Sequence, residues 1–530
     1  MKFDFFADNK QFKSLFQDIV ETFGIKDFTY NFLLKFYQNN AIKNTKKILK
    51  NSKDIPEGKG KKIVFNVLNG IYGSGTFLTA GLSIALKKRG YNPMIITCGG
   101  ALNMCTAGIH INSPQSPCKN CIEYAKQFYS ILNISHKTYF DYISKKEIKE
   151  SKQKQIDIYK GVDIKTLSTN SATRYFKGKI SKKKYNEIYN EEIKNSITAI
   201  DVAEKFVEKE KPDIIISNHL QYSAWGGFSK YCENKGVIIR DIMGGMRRNS
   251  MCSLPQSFSD YLKIRNNQML DNEESVELFF YFNKRMLGQI GDTAWYNFNQ
   301  NIEEIKNINF KDYKRVFAMF TNVSYDTGLL EVKRDFEDIY DWVSYTVDLF
   351  RNKPEYLLII KVHPAEVVFK SEGTLYDFLK ELNLPENIKV IPSETELSAY
   401  NLFNYIDIGI VYSGTLGLEM TLKGIPVIVG SNPHYANNRF TFDAKTKEEY
   451  EQLLFGEIPK LSKKQIELAS LYAYYFFIKS YVPLNFMFFN NFLDVGWNIK
   501  SFDELNPGKD KHLDIICDYI IKGGVYQHWK

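Results

Sequence analysis

DIGIVYSGTLGLEMTLKGIPVIVG, residues 407–430, is the stretch whose reading decides the fold. A first apolar run breaks at Ser413-Gly414-Thr415, a helical pattern begins there, and a second apolar run follows Gly424-Ile425-Pro426. Short apolar runs without polar alternation suit strands covered on both faces, and two of them joined through a helix make a parallel βαβ unit. Upstream, RVFAMFTN (315–322), YLLIIKVHP (356–364) and IKVIPS (388–393) repeat the pattern, with the helical EVKRDFEDIYDWVSYTVDLF (331–350) between the first two.

A second series lies nearer the N-terminus. KIVFNVL (62–68) runs into the glycine loop NGIYGSGT (69–76), a helical FLTAGLSIALKKRGY, and PMIITCGG (93–100). PDIIISNH (212–219) and GVIIRDIMGG (236–245) resume it after a Lys- and Tyr-rich, helical middle of about 140–208. Strands alternating with helices in two series imply an α/β chain of two doubly wound, Rossmann-like domains. The expected divisions are a helical cap over 1–60, an N-terminal domain over 61–265, and a helical connection over 266–312. A C-terminal domain over 313–482 and an aromatic tail over 483–530 complete the chain.

Composition narrows the function. With 530 residues, 44% of them hydrophobic, the chain can bury large cores. Its net charge of +9 comes from scattered residues, which favours anionic small molecules or a membrane surface over nucleic acid. The start, MKFDFFADNKQF, has neither the basic nor the apolar region of a signal peptide, so the cytoplasm is the expected location, including the inner face of the plasma membrane. Seven cysteines are an odd number without a secretion signal, and reduced thiols are expected.

In open parallel sheets ligands sit beyond the carboxyl ends of the strands, where helix N-termini offer free N–H groups and partial positive charge. Lys361 and His363 lie at such an end, and Pro364 stops the strand. Strand alternation puts both on one side, a pair suited to a phosphate. Ser413, Gly414 and Thr415 open a helix as an N-cap would, or as a backbone nest that holds a phosphate. Glu419, roughly 6 Å along that helix, is placed for ribose hydroxyls or for dipole compensation.

TNVSYD (321–326), IIKVHPAE (359–366), YSGTLGLEMTLKGIPVIV (412–429) and PHYANNRFTFD (433–443) together resemble the C-terminal half of the bacterial capsule polysaccharide biosynthesis proteins, GT-B glycosyltransferases related to Kdo transferases. The resemblance spans about 130 residues, from roughly 315 to 445, with the blocks in the family's order. It implies a GT-B-like fold, two domains facing a cleft, with His363, Ser413 and Thr415 on the donor phosphate and Glu419 on the nucleotide's sugar. His434, Tyr435 and Arg439 follow the last strand of the unit and read as donor recognition or as a solvated loop. Asn322 and Asp326 follow its first strand, Asp326 as general base or helix cap.

The N-terminal half resembles the family only loosely. Gly73, Ser74 and Gly75 lack the full dinucleotide fingerprint and are expected to approach a phosphate or an acceptor, or simply to turn the chain. His219 ends another strand, and Arg247 and Arg248 can hold an anionic acceptor bidentately. Cys98, Cys105, Cys118 and Cys121, with His110 among them, could bind zinc or an Fe–S cluster, although six residues between the first two is no usual zinc-knuckle spacing. Reduced thiols without a metal are the expected state.

The expected function is transfer of a sugar from a nucleotide-sugar donor, by the resemblance a CMP-Kdo-like one, to a capsular, other surface or lipid-linked glycan. Lys361, His363 and the Ser413–Thr415 helix start would stabilise the departing phosphate without a metal, and no Asp-x-Asp site stands in these blocks. The nucleotide-sugar is a substrate, so no resident cofactor is expected. A lipid-linked acceptor implies peripheral membrane or capsule-assembly partners. The rivals are a nucleotide-sugar 2-epimerase, a CDP-glycerol-type glycerophosphotransferase and a non-catalytic capsule assembly factor.

Overall fold

Strand β1 (Lys62–Leu68) divides its side chains between two cores: Ile63 and Phe65 pack in one, Val64 and Leu68 in the other. Odd and even residues of a strand point to opposite faces, so β1 is covered on both, as its unbroken apolar run requires. It is the centre of a parallel sheet with β2 (Asn92–Thr97), β3 (Ser135–Thr138), β4 (Ile214–Ser217) and β5 (Ile238–Asp241), in the order β3-β2-β1-β4-β5. The computed structural model describes residues 26–105, 118–151, 156–176, 182–244, 249–252, 258–289, 302–324, 335–368, 373–395, 397–491 and 494–524.

The second sheet is built in the same way. Val316, Ala318 and Phe320 of β6 (Arg315–Phe320) enter one core, Phe317 and Met319 the other. With β7 (Tyr356–Lys361), β8 (Ile388–Ile391), β9 (Ile408–Val411), β10 (Val427–Val429) and β11 (Phe442–Asp443) it forms a parallel sheet ordered β8-β7-β6-β9-β10-β11. Both sheets reverse their winding direction beside their first strand, which makes the fold α/β, doubly wound twice over, and GT-B-like.

Strand β3 reads SHKT and carries no apolar signal, because an edge strand with half-exposed residues does not need one. The middle holds the long helix α1 (Lys182–Glu210), but also two paired two-residue strands, Ile158–Tyr159 and Val162–Asp163. Connecting helix α2 (Asn272–Met286) packs on α3 (Lys463–Tyr474) of the C-terminal half, where Tyr474 donates to Glu277 at 2.7 Å. The aromatic tail, whose destination the sequence did not reveal, returns to the N-terminal core. Val482, Phe486, Trp497, Leu513 and Ile516 are buried there, and Tyr481–Pro483 pairs with Ser250–Cys252. No described helix is long and apolar enough to cross a membrane.

Candidate active site at the switch point

The carboxyl ends of β7, β6 and β9 lie side by side, with Phe320 level with Lys361 on one flank and Val411 on the other. Winding reverses between β6 and β9, the position where doubly wound sheets open a crevice for ligands. The two residues after β6 tie both flanking loops together. Thr321 Oγ1 accepts the His363 N–H at 3.1 Å, and Asn322 Oδ1 accepts the Ser413 N–H at 3.2 Å. Asn322 was expected at the site; Thr321, its positioning neighbour, was not singled out, and its place one residue beyond a strand end is the signal that finds it.

Past Ser413 the chain turns directly into α4 (Leu416–Leu422), whose N-cap Thr415 makes no side-chain capping bond. Among the described residues the Ser413 and Thr415 hydroxyls and the Gly414 and Thr415 N–H groups have no hydrogen-bond partner. This is a cluster of donors with no acceptor among the described residues. Its shape is held from beneath: Tyr435 is fully buried, donates to Gly414 O at 2.6 Å, and fills the space at Gly417, where a Cβ would stand 2.2 Å from the phenol oxygen. Tyr435 therefore supports the loop instead of reading the donor.

His363 has its tautomer set by a backbone contact. Its Nδ1 accepts the Ala365 N–H at 3.1 Å, so the ring proton of the neutral imidazole sits on Nε2 and is a donor. Burial, reinforced by the charge of Lys361, pushes its pKa down to about 4, so the ring is neutral at pH 7. Lys361 goes elsewhere. Its Nζ donates to Pro392 O at 3.1 Å, beyond β8 and on the side of β7 away from β9, and to Val362 O at 3.4 Å. Burial lowers its pKa to about 8, partly opposed by Glu304 and Glu394.

Glu419 is also placed differently from the expectation of a sugar contact. It is 1% exposed; one carboxylate oxygen meets Arg285 of α2 at 3.1 and 3.2 Å, and the other accepts the Tyr400 hydroxyl at 2.5 Å. A buried carboxylate needs such partners, and these two come from elements no local spacing connects to it. His434 is held against the Phe476 ring (4.2 Å between centroids). Tyr472 OH donates to the His434 carbonyl oxygen at 2.7 Å, so it accepts from the ring's Nδ1–H at 2.9 Å. Arg439 takes a left-handed φ of 67° and lies exposed, with no ion pair among the described residues. Asp326, Arg247, Arg248 and His110 lie outside the described residues.

In the N-terminal sheet, Gly73 precedes helix α5 (Ser74–Lys87), which has no side-chain cap, and a Cβ at Gly73 or Gly75 would meet nothing within 4 Å. Steric crowding does not demand glycine at either position. His219 follows β4 with a φ of 58°, between the rings of Tyr222 and Trp225, and burial lowers its pKa to about 4. Its Nδ1, the Trp225 Nε1 and one oxygen of Asp241 at the end of β5 are buried without a hydrogen-bond partner among the described residues. Burial pushes Asp241 up to about 6. Cys98, Cys105, Cys118 and Cys121 come together at one cavity beside Asn69 and Thr97.

No protein-family model and no curated protein sequence matches the chain. Among solved structures it is similar to the beta Kdo 2,4 transferase KpsC of Thermosulfurimonas dismutans, with 16% identity and a TM-score of 0.36 over 56% of this chain and 88% of that one. It is also similar to the UDP-GlcNAc 2-epimerase of Neisseria meningitidis bound to UDP-GlcNAc, with 12% identity and a TM-score of 0.25 over 79% and 98%. The glycosyltransferase SnogD of Streptomyces nogalater matches with 11% identity and a TM-score of 0.23 over 80% and 96%.

Proposed function

We propose that the protein is a glycosyltransferase whose C-terminal domain binds a nucleotide-sugar donor at the β6–β9 switch point. One observation carries this reading: the neutral His363, the Ser413 and Thr415 hydroxyls and two amide N–H groups gather where the winding reverses, held there by Thr321, Asn322 and Tyr435. Breaking the glycosyl–phosphate bond leaves negative charge on the departing phosphate, and preset donors stabilise that charge without reorganising. His363 Nε2–H, the two hydroxyls and the opening turn of α4 would take the phosphate oxygens. Lys361, charged below about pH 8, adds positive potential from behind β7. Glu419 and Arg285 hold α4 in place.

The four sequence blocks that resemble capsule polysaccharide transferases favour a CMP-activated acidic sugar as donor and a surface polysaccharide or lipid-linked glycan as acceptor. The Gly73–Gly75 loop, His219, Arg247 and Arg248 belong to the acceptor side in this reading, with Asp326 as the candidate base, and the transfer uses no metal. The test is turnover by the purified chain with CMP-, UDP- and GDP-activated sugars, with and without a capsular oligosaccharide, read by mass. Acceptor-dependent growth by one sugar is expected. Isomerisation of a donor alone would replace this reading with an epimerase, and no turnover of any donor would overturn it.

A further inference from the structure

The four cysteines are drawn from three places: Cys98 directly follows β2, Cys105 lies in the next loop, and Cys118 and Cys121 share the first turn of α6 (Cys118–Ile131). At a spacing of three residues the last two sit on one helix face. All four line a cavity of about 10 Å³, room for one water or one ion, and none is in a disulfide. Two of the sulfurs already receive backbone donors: Gly70 N–H points to Cys121 Sγ at 3.1 Å and Gly100 N–H to Cys98 Sγ at 3.4 Å. An amide bond to sulfur is strongest when the sulfur is a thiolate, and such bonds support metal-bound thiolates.

The backbone takes an unusual path to supply one of them. Gly99 and Gly100 adopt φ of 60° and 86°, and a Cβ at Gly99 would stand 2.7 Å from Thr138 Cβ, so only glycine folds the chain back over Cys98 in this way. We propose that Cys98, Cys105, Cys118 and Cys121 form a four-thiolate site for one thiophilic divalent cation of the zinc class, fastening the β2 loop and α6 beside the glycine loop that starts at Gly70. As the side chains stand, no three donors among the described residues are grouped to hold an ion. Binding draws the sulfurs inward across the cavity. Each ligand gives up its thiol proton, so one M²⁺ enters and four H⁺ leave for the solvent. Cations at this position take no part in the chemistry proposed for the switch point.

The experiment is titration of the full chain, stripped with chelator and kept anaerobic, with Co²⁺ and then Zn²⁺. One equivalent of Co²⁺ should give the intense visible bands of tetrahedral thiolate coordination and a near-ultraviolet sulfur-to-metal band, and one equivalent of Zn²⁺ should abolish both. Cys98→Ser and Cys121→Ser should weaken binding by roughly tenfold or more. Zn²⁺ should raise the wild-type melting temperature, and raise that of Cys118→Ser by less at the same zinc concentration. Four freely titrating thiols with no cobalt bands would overturn the proposal. So would iron with inorganic sulfide in the isolated protein, or a mass deficit showing a disulfide among the four. The wild-type spectrum decides the matter even if a variant fails to fold.

Discussion

His363 is a hydrogen-bond donor because of what its other nitrogen accepts. A neighbouring N–H two residues on occupies Nδ1, burial keeps the ring uncharged, and the remaining proton lies on Nε2. The position was legible in the sequence as a histidine after an apolar run with a proline behind it. The tautomer was not, because it depends on how the chain turns after Pro364. Lys361 shows the reverse case: its nearness in sequence suggested a shared ligand, but its ammonium is taken by the backbone oxygens of Pro392 and Val362, and it acts on His363 through its charge. Lowering its pKa from 10.5 to about 8 corresponds to roughly 3 kcal/mol against the charged form in the folded state. That penalty is full below pH 8 and fades as pH rises towards 10.5, where the unfolded chain also loses the proton. Lys361→Met gives up a bond to Pro392 O and a longer one to Val362 O, together worth about 1 kcal/mol. It should therefore stabilise the protein by about 2 kcal/mol at pH 7, with the gain shrinking above pH 8, as denaturant unfolding at several pH values will read. A destabilised variant at pH 7 would mean that the ammonium is better paired than its burial implies.

Helix α4 and its flanking strands were readable because one element's apolar run and the next one's caps are local signals. The partners of Glu419 were not: Arg285 lies 134 residues away, on a helix the sequence marked only as a connection. Removing one member of a buried ion pair strands the other charge, whereas removing both costs much less. Arg285→Met alone should destabilise by about 3–5 kcal/mol, and Arg285→Met with Glu419→Gln should recover a large part of that loss. A double-mutant cycle by thermal unfolding measures the coupling; additive losses would show that the pair is not what holds α4. The short edge strand β3 escaped for a different reason, since its half-exposed residues leave no periodic apolar pattern.

At the scale of the whole molecule, the sequence supplied the central strands of both sheets, because buried parallel strands read as unbroken apolar runs, but not their order or the place where each sheet reverses. It did not supply the path of the tail. That path is set by contacts such as Arg89 with Leu505 O, 416 residues apart, and by Phe486 lying over Gly81. Ending the chain after Ser480 should expose the N-terminal core and abolish its cooperative unfolding, seen as loss of near-ultraviolet circular dichroism and rapid proteolysis. Retention of a full-length melting profile would contradict the tail's structural role. The central claim is the phosphate site at the second sheet's switch point, and calorimetric titration with CMP, CDP, UMP, UDP and GDP tests it most directly, on the wild type and on a His363→Ala variant first shown to melt normally. Selective binding of one nucleotide by the wild type, lost in the variant, is the predicted result; binding of none, or equal binding by both proteins, would contradict it.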